Sequence, residues 1–234
     1  GPDACIIGAV VLMEGDPFCL LEGMTIAAHA VGADRGLVYL RSEYPDAIAT
    51  LQAAIDIARE RHWLGDDILG SKVAFDVEIR VGAGSYVCGE ETAMLESLEG
   101  RRGMVRAKPP LPAIKGLFGT PTVINNVLTI ASVPSILARG AETYAALGQE
   151  RSLGTQVFQL AVNIAQGGIV ETAFGITARA LVADFGGGTR SGKAVRAVQL
   201  GGPLGAYLPD DKLDVAMTYE ALAAAGGMIG HGGI

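Results

Sequence analysis

The sequence has little with which to build disulfides, metal clusters or aromatic stacks. Its three cysteines, Cys5, Cys19 and Cys88, stand far apart, and no C-x-x-C pair occurs in the 234 residues. That spacing excludes a disulfide framework and gives no zinc or iron–sulfur ligand set, so no metal-binding residue is assigned. Reduced thiols in a cytoplasmic protein are expected. Aromatics make up 6% of the chain, so Ala and Gly must do much of the packing. Basic residues are outnumbered, 18 against 25 acidic, for a net charge of −7. With no dense basic run to reverse that balance, nucleic acid is not an expected partner. No apolar stretch is long enough to cross a bilayer, so no direct membrane span is expected. The N-terminus lacks the charged-then-apolar pattern of a signal peptide. G-x-S-x-G, H-E-x-x-H and Walker sequences are also missing.

What is present is glycine, 33 residues of it, in a chain that is 50% apolar. The apolar half suffices for a sizeable core in one large domain or two modest ones. The glycines follow no collagen period, and point instead to tight turns and close backbone approaches. The chain has no initiator Met and stops in Gly230-His231-Gly232-Gly233-Ile234. Both ends are therefore expected to be cut from something longer.

Periodicity predicts an alternating order of helices and strands. A helix is expected over Glu22–Ala33, where Met24, Ala27, Ala28 and Val31 recur near helical spacing, with Gly36 as a stop signal. Leu37–Leu40 suits a buried parallel strand. Pro45 opens a helix that runs to about Arg61. Lys72–Val81 alternates through Val73, Phe75, Val77, Ile79 and Val81, as a strand does. Gly82-Ala83-Gly84 breaks it, and a helix follows from Gly89 through Leu98. Residues 101–124, rich in Pro and Gly, exclude a regular element, and a loop of that length is usually functional or disordered. A helix over Asn126–Arg139 and a connector to Gly154 come next. Strands are then expected near Gln156–Val162 and Gly168–Glu171, a short helix over Thr177–Phe185, and a strand over Ala194–Leu200. This order reads as an α/β layer sheet to about residue 100, and later as a small α+β module.

Chemistry concentrates in Gly82–Thr92. A strand, a glycine turn at Gly84 and a helix start let backbone approach a cofactor, and free N–H groups at a helix start can face an oxygen-rich ligand. The spacing is not G-x-G-x-x-G, since Val87 stands where the third glycine would fall. On composition alone the plainer reading prevails, a β–α turn whose two glutamates complement the helix dipole. Lys108 lies in the rigid stretch Lys108-Pro109-Pro110-Leu111-Pro112, where it can meet a phosphate or carboxylate or do nothing of the kind. Asn125-Asn126 precede a helix. One of them is ordinarily an N-cap, which leaves a second amide free. Cys88 reads as a small core side chain, and His29 and His62 as structural. No catalytic acid or base is assigned.

Taken together, these pieces resemble one family. The string GAGSYVCGEETAMLESLEGRRGMVRAKPPLPAIKGLFGTPTVINNVLTIASV, Gly82–Val133, is similar to the flavin-binding core of the NADH-binding subunit of complex I, of NAD-linked formate dehydrogenases and of bidirectional hydrogenases. The resemblance implies a Rossmann-like FMN/NAD-binding α/β domain over residues 1–140 and a β-grasp soluble-ligand-binding domain over 155–206. Residues 207–234 would lead to an iron–sulfur domain. It also implies that Tyr86, Gly89, Glu90, Asn125 and Asn126 line FMN beside the Gly84 turn, with Thr129 near its phosphate. Glu91 matches a carboxylate at the ribose of NAD, and Lys108 a lysine near that cofactor. Leu111 stands where the family has an aromatic that stacks on adenine. The Leu in KPPLP, the stretch GGPLGAYLP and the ending IGHGGI resemble formate dehydrogenase β subunits. The family's upstream glycine-rich flavin loop has no counterpart after Gly1, and Gly1–Val11 does not match its acidic segment. The cysteines for a [4Fe-4S] cluster would belong beyond Ile234, in the full-length subunit. The chain by itself is accordingly expected to be inactive and to bind FMN weakly. In the whole subunit the resemblance implies hydride transfer between NAD(H) and FMN, then one-electron exchange with iron–sulfur centres. The implied partners are a thioredoxin-like iron–sulfur subunit and a larger catalytic subunit, either a molybdenum formate dehydrogenase α chain or the complex I peripheral arm. The rival expectation is an adaptor that kept the fold and lost the flavin.

Overall fold

A computed structural model describes residues 4–202 and 204–234. Gly1–Asp3 at the N-terminus and Pro203 of GGPLGAYLP lie outside the described residues. The chain divides into two compact units, one of residues 10–134 and one of residues 135–234 together with the residues up to Ala9, so that the helices Ala4–Gly15 and Val127–Arg139 each span the boundary.

The first unit is organised around a β–α–β crossover. Strand β1 (Arg35–Arg41) is followed by helix α3 (Pro45–Glu60), and the chain returns as β2 (Asp76–Gly82). The two strands are parallel, with Arg35 opposite Asp76 and Arg41 opposite Gly82. A crossover helix is what a parallel pair requires. On α3 the buried residues are Ala47, Leu51, Ala54, Ile55 and Ala58, a stripe at helical spacing. That face meets β2, and the apolar strand residues Val38, Leu40 and Val77 are buried as well. Pro45 occupies the first turn of α3, as its fixed φ favours.

Ahead of this crossover lie α1 (Ala4–Gly15) and α2 (Pro17–Val31). The periodic pattern began α2 at Glu22. The helix starts earlier because Asp16 caps it, accepting from the Cys19 N–H at 3.2 Å, and Pro17 fits the first turn. The strand expected from Lys72 starts only at Asp76. Lys72 has φ +64°, and Phe75 is engaged in a bridge to Gly65. After β2 come a one-turn 3-10 helix, Tyr86–Gly89, and helix α4 (Glu91–Leu98). The Tyr39 hydroxyl on β1 meets Ser97 Oγ on α4 at 2.9 Å, which ties α4 to the sheet.

Residues 99–126 hold no helix or strand apart from the 3-10 turn Leu117–Gly119, and α5 (Val127–Arg139) follows. α5 runs against α2. The Cys19 thiol donates to Ala131 O at 3.2 Å, and a Cβ added at Gly23 would lie 2.2 Å from Ile130 O.

The stretch expected to be a bare connector before Gly154 instead carries helix α6 (Ala141–Ala145) and a hairpin of β3 (Gly148–Gln149) with β4 (Ser152–Leu153). The second unit then forms hairpin β5 (Thr155–Leu160) with β6 (Gly168–Ala173). Helix α7 (Ala178–Ala180) continues as one π turn to Phe185. Strand β7 (Ala197–Leu200) pairs antiparallel with β8 (Ala206–Pro209), and α8 (Tyr219–Ala224) follows. Neither β8 nor α8 was signalled by periodicity. Phe158, Leu181, Leu200, Leu213 and Leu222 lie together in its core. The mixture of helices and small sheets is the α/β class expected.

Alanine at Gly23 would gain about 1 kcal/mol of helix propensity over glycine. The close approach of the Ile130 carbonyl opposes that gain, because a backbone atom cannot swing aside, and overpacking costs about 1–3 kcal/mol. Gly23→Ala is therefore expected to lower stability in urea unfolding. An unchanged or higher midpoint would contradict the helix approach described.

Candidate functional site

All ten sequence-chosen residues, from Gly84 to Thr129, fall in the first unit. The turn at Gly84 leaves the carboxyl end of β2, beside that of β1. In open parallel sheets this edge is where ligands bind. Arg41, the last residue of β1, donates to Gly84 O at 3.2 Å and pairs with Glu43 at 2.7 Å. Gly84 has φ +83°, and a Cβ there would lie 2.8 Å from Glu43 Oε1. The positive φ is what calls for glycine at that turn, since the Glu43 side chain could swing aside.

The helix start at Glu91 is already satisfied. Glu90 is the N-cap of α4, and its Oε2 accepts from Thr92 N at 2.8 Å, Ala93 N at 2.9 Å and Thr92 Oγ1 at 2.5 Å. A side-chain carboxylate thus uses two of the donors an external anion would have needed. The plainer reading of Glu90 is the one its geometry gives. Lys108 comes in from the loop to donate to Glu90 Oε1 at 3.3 Å and, more closely, to Glu91 Oε1. Lys108, Glu90 and Glu91 are brought together, each with its side chain about one-third exposed. Partial burial pushes the Glu90 carboxyl up, but the donors from Thr92, Ala93 and Lys108 outweigh it and hold it below its ordinary value of 4.5. Hydrogen bonds donated to Glu91, then to Glu90, hold the Lys108 ammonium above its ordinary value of 10.5.

Other candidates stand apart from this trio. Tyr86 is 75% exposed and Leu111 52% exposed. Gly89 lies outside the left-handed region, and a Cβ there would meet open space. Nothing in the described chain requires glycine at that position, which fits a cradle kept clear for a ligand. Asn126 Oδ1 accepts from Leu128 N at 2.9 Å and so caps the turn into α5. Asn125 is exposed and makes no hydrogen bond among the described residues, which leaves its amide for a ligand. Thr129 is exposed one turn on. An exposed phenol, a free amide and a clear glycine suit a flat ligand with polar edges, and a bound flavin fits this set.

Sequence reasoning missed the group that holds the loop. Arg106 donates to Glu96 at 2.5 Å, pairs with Glu99 at 2.9 Å, and reaches Gly116 O at 3.1 Å. Glu99, with a side chain only 7% exposed, also accepts from Phe118 N at 2.7 Å and pairs with Arg101. Desolvation raises the Glu99 carboxyl, and its arginines and the Phe118 N–H lower it further than that. Two glutamates three apart facing two arginines was the available signal. Cys88 is buried, with its thiol 3.8 Å from Ala93 O. His29 and His62 are exposed.

Two adjoining hollows of about 430 and 490 Å³ lie elsewhere in this unit, lined by Arg59, Gly65, Asp66 and Asp76 among others. No sequence-chosen residue lines them, and Arg59 is committed to Asp76 at 2.9 Å. Among the described residues no group of three metal-ligating side chains could hold an ion, and no helix is long and apolar enough to cross a membrane.

Residues 3–135 match the family described as the Nuo51 FMN-binding domain. The chain is 48% identical over 223 residues to the HndC subunit of the NADP-reducing hydrogenase of Solidesulfovibrio fructosivorans, covering 95% of this chain and 46% of that one. It is 46% identical over 224 residues to an NADH-quinone oxidoreductase subunit of Rhizobium meliloti, covering 96% and 53%. The crystal structure of an NAD+-reducing [NiFe]-hydrogenase in its H2-reduced state superposes with a TM-score of 0.77 at 35% identity, over 96% of this chain and 36% of that one. The chain spans about half the length of the curated relatives it matches.

Two predictions separate capping from ligand binding. Asn126→Ala should cost about 1 kcal/mol in urea unfolding, while Asn125→Ala should stay within about 0.5 kcal/mol of the parent. Equal losses at both positions would contradict the assignment of one cap. For Glu90, whose carboxyl is lowered in the fold, the stabilisation is present above pH 4.5 and is lost as pH falls through the folded value below it. Glu90→Gln should flatten that part of the stability–pH curve, and an unchanged curve would contradict the cap.

Proposed function

This chain belongs to the Nuo51 FMN-binding domain family, and from that premise we propose that it serves a diaphorase-type oxidoreductase subunit. The observation that carries this reading is the Lys108–Glu90–Glu91 constellation at the carboxyl edge of the parallel strands, beside the exposed Tyr86 and the free Asn125. FMN, when bound, would supply hydride exchange with NAD(H) and one-electron exchange with iron–sulfur centres. The residues here bind and orient. Asn125, Tyr86 and the open side of Gly89 would hold the flavin, with Asn126 shaping the turn and Thr129 near the phosphate. Glu91 would accept the ribose hydroxyls, and Lys108 would balance the charge of Glu91. Leu111 would offer an apolar face to the adenine. Hydride transfer calls for no acid or base, and none is assigned.

Residues to 140 would form the FMN/NAD-binding domain and 155–206 the β-grasp domain, with 207–234 leading to the part that holds the [4Fe-4S] cluster. The partners would be a thioredoxin-like iron–sulfur subunit and a larger catalytic subunit, in the cytoplasm. Leu111, GGPLGAYLP and IGHGGI support a soluble NAD-dependent formate dehydrogenase. The names of the relatives support the alternatives, a hydrogenase or a quinone oxidoreductase. An adaptor without flavin has no use for a free Asn125 or a bracketed lysine.

Glu91 also bears on nucleotide choice. A carboxylate at the ribose repels a 2′-phosphate. In the full-length subunit with an artificial electron acceptor, Glu91→Gln should raise KM for NADH about ten-fold or more, the loss of one charge-assisted contact. It should also ease NADPH use. Glu90→Gln should act mainly on stability. The reading fails if the wild type oxidises neither nucleotide, and the assignment reverses if Glu90→Gln alone shifts the NADH-to-NADPH ratio of kcat/KM.

A further inference from the structure

Thr92 is 2% exposed, one of the few buried polar side chains among the described residues. Its hydroxyl donates to Glu90 Oε2 at 2.5 Å. Thr92 Oγ1 in turn accepts the backbone N–H of Arg106 at 2.8 Å. One side chain thus joins the helix cap to the strap that carries Lys108 two residues later.

The capacity of Glu90 decides what this joint does. A carboxylate oxygen offers about two lone-pair sites, and Oε2 already takes three donors, two amides and the Thr92 hydroxyl. Oε1 faces Lys108. Glu90 therefore cannot turn toward a sugar hydroxyl without undoing the start of α4. Glu91 meets Lys108 through Oε1 and carries no capping load, and consecutive helical residues point about 100° apart. Arg106 is held by its guanidinium to Glu96 and Glu99 and by its N–H to Thr92, so the strap is fixed at both its backbone and its side chain just before Lys108.

We propose that Thr92 is a positioning residue for nucleotide selectivity. By locking Glu90 and the Lys108 strap to each other, it leaves Glu91 as the carboxylate of the pair that can accept ribose hydroxyls, with Lys108 held against it. The inference rests on the reading of Glu91 and Lys108 as nucleotide ligands. Without the hydroxyl, Glu90 loses a donor and the strap loses its backbone tether. Lys108 is then no longer held at one distance from Glu91. NADH loses a preorganised contact, whereas a 2′-phosphate gains a lysine free to reach it.

The test compares Thr92→Val, which keeps the shape and removes the hydroxyl, with Thr92→Ser, which keeps the hydroxyl. Both are made in the full-length subunit, with Kd for NADH and NADPH measured beside FMN content and Tm. Thr92→Val should weaken NADH binding about ten-fold and lower the preference for NADH over NADPH. Thr92→Ser should stay within about two-fold of wild type. A merely structural Thr92 would change Tm and leave the preference unmoved, which overturns the inference while the functional reading stands. A wild type that binds no NADH overturns both. If Thr92→Val does not accumulate, amide hydrogen exchange of wild type decides: the Arg106 amide should be protected, and more so with NADH bound. An Arg106 amide that exchanges freely or ignores NADH overturns the proposal.

Discussion

The site depends on one carboxylate, Glu90. It closes the first turn of α4, holds the buried Thr92 hydroxyl and faces Lys108 across the loop. A helix start that caps itself this way has spent the donors that might have cradled a phosphate. Under the proposed function, recognition would fall to at least partly exposed side chains around the helix start, Tyr86, Glu91, Lys108 and Asn125 among them.

The long Pro- and Gly-rich loop shows how a segment without regular structure is fixed. Backbone groups there have no ladder; turns such as Gly116 N–H to Thr120 O and Thr122 N–H to Pro112 O pair some of them, and charged side chains add further ties. Arg106 has no strand partner, yet it ties Glu96, Glu99 and the Gly116 carbonyl into one cluster. Glu99 closes the far side through the Phe118 amide. The cluster is partly buried, so removing one member would leave the others with unmatched charge, and this favours keeping all of them. Around it, Met104, Val105, Ile114 and Phe118 remain more than half exposed, which concentrates apolar surface beside the candidate site.

Much of this was legible in the sequence, for reasons that differ by element. Pro45 and the alanine–leucine stripe behind it gave α3, because burial on one face writes a 3.6-residue period. Gly82-Ala83-Gly84 marked the turn at the sheet edge, since few residues tolerate φ +83°. Asp16-Pro17 announced the start of α2, and apolar periodicity alone overlooked it. β8 and α8 went unmarked because β8 is four residues that end in Pro209 and α8 is six residues rich in alanine, which write no clear apolar period. The family was legible through the order of GEE, KPP and NN within Gly82–Val133. The geometry that makes Glu90 and Glu91 unequal was not, because it depends on Thr92 and Arg106, fourteen residues apart in the chain and 2.8 Å apart in space.

We propose that this edge presents NAD(H) to FMN in the complete subunit. Anaerobic addition of NADH to the flavin-loaded, full-length protein, monitored by visible absorbance, tests it most directly. The account predicts stoichiometric bleaching of the flavin. Absorbance that NADH leaves unchanged, in a preparation whose flavin dithionite still bleaches, would contradict it.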